Sequence, residues 1–178
     1  MIIPCASRIV HYNEPVTLFE RVRGSHFGGS YDSGVAPNET GALSGQRLRD
    51  LDGNPGKLER DDFYCALPVV WRQGVFADRD QWSFAAIRDW WLSRRIVVAN
   101  DAITLAAVLQ VIDLGPHWRT QRGLDMGRDA MRFLGGQTDD PYRVWFALAQ
   151  IAGDLPYGPY VVRGWERFNG RYDLDLEA

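Results

Sequence analysis

Apolar residues in this chain gather in short runs bounded by turn residues, and long helical stripes are few. Phe63–Val70 reads Phe-Tyr-Cys-Ala-Leu-Pro-Val-Val, which predicts a buried strand ended by Pro68. Arg95-Ile-Val-Val98 is β-branched, Asn100–Asp101 supplies turn chemistry, and Leu105–Ile112 is apolar with Gln110 interrupting it. Two such runs around a short polar turn predict a paired hairpin, ended abruptly by Asp113-Leu-Gly-Pro116. Further strands are predicted at Arg8–Tyr12, Val16–Val22, Tyr142–Leu148 and Tyr160–Trp165. Helical spacing occurs twice. Ala77–Ser93 places Trp82, Ala85, Ala86, Asp89 and Trp90 at that spacing, with Asp78 as its cap. Met126–Leu134 is the second helix, closed by Gly135–Gly136. The tryptophans of the first helix are predicted to anchor the core. Between Gly24 and Gly56 the chain is crowded with Gly, Ser, Asn, Asp and Pro, the composition of a long loop. Short strands with two helices predict a mainly β protein, a small β-barrel.

Composition narrows the chemistry. The chain has 178 residues, 46% of them hydrophobic and 24% charged, enough for one domain with its own core. Its net charge of −3 argues against a nucleic-acid partner, which needs a basic face. Lys57 is the sole lysine and sits in the polar turn Gly53-Asn-Pro-Gly-Lys57, with no phosphate-loop pattern around it. Lysine chemistry is therefore not expected. Cys5 and Cys65 form no C-x-x-C pair, so structural zinc is not expected either, and no cofactor or metal is called for. Two buried thiols or one bridge both remain open. No apolar run is long enough to cross a membrane. The N-terminal stretch lacks the basic and long apolar regions of a secretory signal.

Two carboxylates stand out. Asp113 ends an apolar strand, and Asp125 lies just ahead of a helix in Arg122-Gly-Leu-Asp-Met-Gly127. A carboxylate at a strand end and one at a helix start can meet in one cleft, and paired carboxylates are what glycosidic cleavage uses. The plainer alternative makes Asp113 a turn stabiliser and Asp125 a helix cap. His117 and Trp118 lie between them. Trp118 is suited to stacking on a sugar ring.

The block Val111-Ile-Asp-Leu-Gly-Pro116, followed by Gly123-Leu-Asp-Met-Gly-Arg-Asp-Ala-Met-Arg-Phe-Leu-Gly135, resembles the signature of the double-psi β-barrel family. That family includes the rare lipoprotein A-like lytic transglycosylases, the expansins and the barrel endoglucanases. Gly29-Ser-Tyr-Asp-Ser-Gly34 and Thr40-Gly-Ala-Leu-Ser-Gly45 resemble its glycine-rich first loop, and Phe63-Tyr-Cys-Ala-Leu-Pro68 its Leu-Pro strand.

The resemblance implies a six-stranded double-psi barrel over residues 24–150. An N-terminal extension (1–23), a helical insertion at Ala77–Ser93 and a C-terminal tail (151–178) packed on the barrel complete the expectation. It implies peptidoglycan strand cleavage, with Asp125 protonating the leaving oxygen and then taking the proton of the sugar's 6-hydroxyl. Asp113 would orient or polarise the substrate, or activate water in a hydrolase. Tyr31, Asp32, His117 and Trp118 would line the groove. The transglycosylases carry a histidine near the Leu-Pro strand, and Asp61–Trp71 has none. Two alternatives accompany this expectation: a non-catalytic, expansin-like polysaccharide-binding module, and a virion or assembly protein with a degenerate barrel. The expected partner is cell-wall polysaccharide. The expected place of action is the wall or periplasm, reached by phage delivery, lysis or non-classical export, with a phage particle or secretion machine as carrier.

Overall fold

The computed structural model describes residues 17–28, 39–45, 63–67, 83–116, 122–136, 144–152, 154–168 and 171–178. These residues are mainly β, with two short helices. In chain order the elements are β1 (Thr17–His26), β2 (Tyr64–Leu67), α1 (Phe84–Leu92), β3 (Arg95–Asn100), β4 (Leu105–Leu114), β5 (Leu124–Met126), α2 (Arg128–Phe133), β6 (Val144–Ile151), β7 (Gly158–Phe168) and β8 (Arg171–Glu177).

All eight strands join one curled sheet, in the order β2-β5-β1-β6-β3-β4-β7-β8. The pairing returns to its start, because β2 also pairs with β4. The pairs β1–β5 and β2–β4 are parallel and the others antiparallel. The boundary expected at residue 23 falls inside β1, which pairs with β6 over Thr17–Gly24 and with β5 over Gly24–His26. Predicted strand Arg8–Tyr12 lies outside the described residues.

Strand alternation sorts the side chains. Val22, Cys65, Leu67, Ile96, Val98, Leu109, Val111, Leu124, Met126 and Phe146 turn to one face and bury together with Trp91. Val97, Ala99, Ala106 and Val108 turn to the other face, where Tyr160 and the β7–β8 residues Val162, Tyr172, Leu174 and Leu176 cover them. Burial on both faces explains the near-continuous apolar runs Ile96–Ala99 of β3 and Leu105–Leu109 of β4. Gln150 clips the hairpin down: its amide donates to the Tyr172 carbonyl and accepts from the Tyr172 N–H at 2.9 Å. Strand β8 adds to the single C-terminal strand expected from sequence. Its Asp173, Asp175 and Glu177 alternate outward along the edge, which discourages pairing with another chain.

Local chemistry shapes the connections. Asn100 Oδ1 accepts from the N–H groups of Thr104 (2.9 Å) and Leu105 (3.2 Å), which closes the β3–β4 turn. Helix α1 starts at Phe84, so Ser83 is its cap in place of the expected Asp78; Ser83 Oγ accepts from the Ala86 N–H at 3.3 Å. Trp90 and Trp91 are buried as core anchors, and Asp78 and Trp82 lie outside the described residues. The second helix begins later than predicted. Met126 belongs to β5, and Gly127 caps α2 without a side-chain bond.

Gly24 is required by close packing. A Cβ there would stand 2.3 Å from Phe146 Cε2 and 3.2 Å from the Leu124 carbonyl oxygen. Phe146 is fully buried and has no room to retreat. Gly24→Ala is expected to cost about 2–3 kcal/mol, the upper range for overpacking. Gly164→Ala, where a Cβ meets nothing within 4 Å, is the control. Urea unfolding midpoints of the two variants check this.

Candidate functional site

The register brings four residues from four strands into one row. Ser25 of β1 pairs with Asp125 of β5, Asp125 pairs with Ala66 of β2, and Ala66 pairs with Asp113 of β4. Directly opposed residues point to the same side of a sheet. The chain neighbours Leu124 and Met126 of Asp125 and Cys65 and Leu67 of Ala66 fill the main core, so the row lies on the opposite face of the sheet, where Ser25, Ala66 and Asp125 are themselves buried. Two strand spacings separate the carboxylate-bearing Cα atoms, about 9–10 Å for a flat sheet. Ala66 floors the gap between them, packed among Phe27, Tyr64 and Ile112.

Asp125 is buried at 7% exposure, and Ser25 beside it is fully buried. Ser25 Oγ donates to Asp125 Oδ1 and accepts from Arg122 Nη1. Arg122 Nη1 also lies 3.4 Å from Asp125 Oδ1. A buried carboxylate is tolerable only with compensation of the kind that the Arg122 guanidinium and the Ser25 hydroxyl supply. The expectation that Asp125 opens a helix is corrected: it is the middle residue of β5, held on both sides by strand partners, and the cap position of α2 is Gly127.

Asp113 is placed by an irregularity in β4. The β2–β4 register slips between Cys65 and Ala66, so that Val111 and then Asp113 are paired and Ile112 is skipped. Such a bulge re-aims the side chain that follows it. The turn at residues 41–45 secures it. Leu43 and Ser44 N–H groups donate to the Ile112 carbonyl at 3.3 and 3.0 Å, and the Ala42 N–H donates to Asp113 Oδ1 at 2.7 Å. The Leu114 N–H donates to the same oxygen at 2.8 Å. Burial pushes the Asp113 carboxyl above its ordinary range; the two N–H groups oppose the shift, and the charge of Glu39 adds to it. Asp113 therefore holds a proton more readily than a free aspartate.

A raised native value means that the protonated form favours folding. The contribution is full below the ordinary carboxylate range and is lost as pH rises through the raised value. Asp113→Asn keeps an acceptor for both N–H groups and removes the titration. Its melting temperature relative to the unsubstituted protein should therefore be more favourable at pH 7 than at pH 4. Asp113→Ala leaves both N–H groups without this acceptor and should cost about 1–3 kcal/mol at either pH. Thermal melts at the two pH values check both.

The structure thus brings Asp113 and Asp125 into one row. Tyr31, Asp32, His117 and Trp118 lie outside the described residues. Sequence reasoning missed Ser25 and the role of Arg122. Arg122 carried a faint signal, three positions before Asp125, whereas Ser25 lies 100 positions away and is brought in by parallel pairing alone. The glycines of the turn at 41–45 are visible in sequence, whereas the N–H groups it offers to Ile112 and Asp113 are not. Cys65 is a free, fully buried thiol, and burial pushes its ionisation far up, so it is no nucleophile. Cys5 lies outside the described residues.

Among the described residues, no group of three or more His, Cys, Asp or Glu side chains is arranged to hold a metal ion. No helix among them is long and apolar enough to cross a membrane. No protein-family model and no curated protein matches this chain.

Proposed function

We propose that the chain is a six-stranded double-psi β-barrel that cleaves the glycan strands of peptidoglycan, acting as a lytic transglycosylase centred on Asp125 and assisted by Asp113. One observation carries this reading: the row Ser25–Asp125–Ala66–Asp113 sets two carboxyl groups on one face of the sheet in contrasting surroundings. Asp125 sits beside a guanidinium and a hydroxyl donor, whereas burial favours the proton on Asp113. Environments that pull two carboxyls apart are what acid–base division needs. The fold part of the reading is supported by β2, β5, β1, β6, β3 and β4 pairing in a closed ring, each with two neighbours inside it and β4 with β7 besides, and by two parallel pairs among them.

These surroundings favour a shared reaction. Asp113 gives its proton to the leaving glycosidic oxygen as the bond to the anomeric carbon breaks. Asp125 accepts the proton of the same sugar's 6-hydroxyl, whose oxygen bonds to the anomeric carbon and closes a 1,6-anhydro ring. Proton exchange with solvent then restores both groups. The second reading, an expansin-like binding module, draws on a separate observation: two backbone N–H groups occupy Asp113 Oδ1, as a purely structural aspartate would allow.

Mass spectrometry of the soluble products from purified sacculi separates the readings. Products ending in 1,6-anhydro-N-acetylmuramic acid support the transglycosylase. New reducing ends support a hydrolase, with one carboxylate activating water. Retention on sacculi without any product supports the binding module and overturns cleavage.

A further inference from the structure

We infer that Arg122 and Ser25 are positioning residues that together hold one oxygen of Asp125 and so set the rotation of its carboxyl group for proton transfer. This rests on the glycan-cleavage reading above. Arg122 Nη1 reaches Oδ1 directly, at 3.4 Å, and again through the Ser25 hydroxyl, which accepts from the guanidinium and donates to the same oxygen. Two contacts on one oxygen resist rotation about the Cβ–Cγ bond, which one contact would permit. The frame behind them is rigid. Ser25 is fully buried on β1, with Gly24 packed under Phe146 on one side and Phe27 donating its N–H to the Met126 carbonyl at 3.0 Å on the other. Arg122 is anchored by its neighbour: the Gly123 N–H donates to the Arg23 carbonyl at 2.8 Å. The row beyond Asp125 offers no substitute, because Ala66 has no polar side chain and Asp113 carries a like charge when ionised. Ser25 and Arg122 touch Asp125 and need not touch the sugar.

Positioning of a proton-transfer group shows in turnover and hardly in substrate binding. The experiment compares the unsubstituted protein, Ser25→Ala and Ser25→Thr on soluble, peptide-free glycan strands. Ser25→Ala is expected to lower kcat about 30–100-fold with KM within about twofold. Ser25→Thr, which retains the hydroxyl, should recover kcat to within about threefold. Unchanged kcat in Ser25→Ala, or kcat lost equally in Ser25→Thr, would overturn the inference.

If the unsubstituted protein cleaves nothing, it is the glycan reading that fails. The positioning claim is then read from the carboxyl carbon of Asp125 by NMR, assigned by its absence in Asp125→Asn. Loss of a donor to the charged form should raise the titration midpoint by about one pH unit in Ser25→Ala, with Ser25→Thr near the unsubstituted value. A midpoint that does not move overturns the inference.

Discussion

Asp125→Asn is expected to cut the release of anhydro-ended glycan from sacculi about a thousandfold. The substitution nearly preserves shape and leaves an acceptor for Ser25. What it removes is the ability to take a proton, and a positioned acid or base contributes about 10²–10⁴-fold to such reactions. Because Asp125 is 7% exposed and held between β1 and β2, a water has little room to deputise for it. The control is physical: the Asn variant should keep the unsubstituted circular dichroism spectrum and its retention on sacculi. Products at the unsubstituted rate would remove Asp125 from the reaction and with it the proposed mechanism. Asp113→Asn should lower the rate less, about tenfold to a hundredfold, since Asp113, unlike Asp125, is partly exposed and solvent can supply the leaving-group proton there.

The second large effect is on stability. Arg122→Met is expected to cost about 3 kcal/mol, because it strips a buried carboxylate of its cation while keeping most of the side-chain volume. The pair is well shielded, with side-chain exposures of 18% for Arg122 and 10% for Asp125, so solvent cannot replace the lost charge fully. Exposed pairs such as Arg163–Glu177 should behave differently, and Arg163→Met should cost less than about 1 kcal/mol. Adding Asp125→Asn to Arg122→Met should restore part of the loss, because the carboxylate that needed compensation is gone. A double-mutant cycle in urea measures this directly. Strict additivity would mean that the two side chains do not act as a pair.

Much of the site's scaffold was legible along the chain because local pattern and tertiary role agree. The run Arg95–Ile112 reads as a hairpin, and β3 and β4 form one, closed by Asn100 as turn chemistry requires. The strand before Pro68 is present as Tyr64–Leu67. Trp90 anchors the core as its helical spacing implied, and Trp91, outside that spacing, is buried with it. Strand β8 carries a local signal too, the alternation of Tyr172, Leu174 and Leu176 with Asp173, Asp175 and Glu177, which the charge of the tail masks.

Other features had no local signal. Periodicity placed Met126 in a helix, yet a three-residue strand wedged between β1 and β2 gains more from pairing on both sides than from one further helical turn. Asp78 and Ser83 are both competent caps by residue type, and it is Ser83 that accepts the Ala86 N–H at the start of α1.

By itself, the sequence determined the strand-rich character, the β3–β4 hairpin and the two aspartates as the pair to watch, since alternation, turn residues and isolated buried-strand carboxylates are properties of neighbours in the chain. Only the tertiary structure decided that Ser25, Asp125, Ala66 and Asp113 share a row, and that Arg122 compensates Asp125. It also decided that a bulge at Ile112 aims Asp113 into that row. Parallel register between distant segments depends on how the whole sheet curls, and no short stretch of chain encodes it.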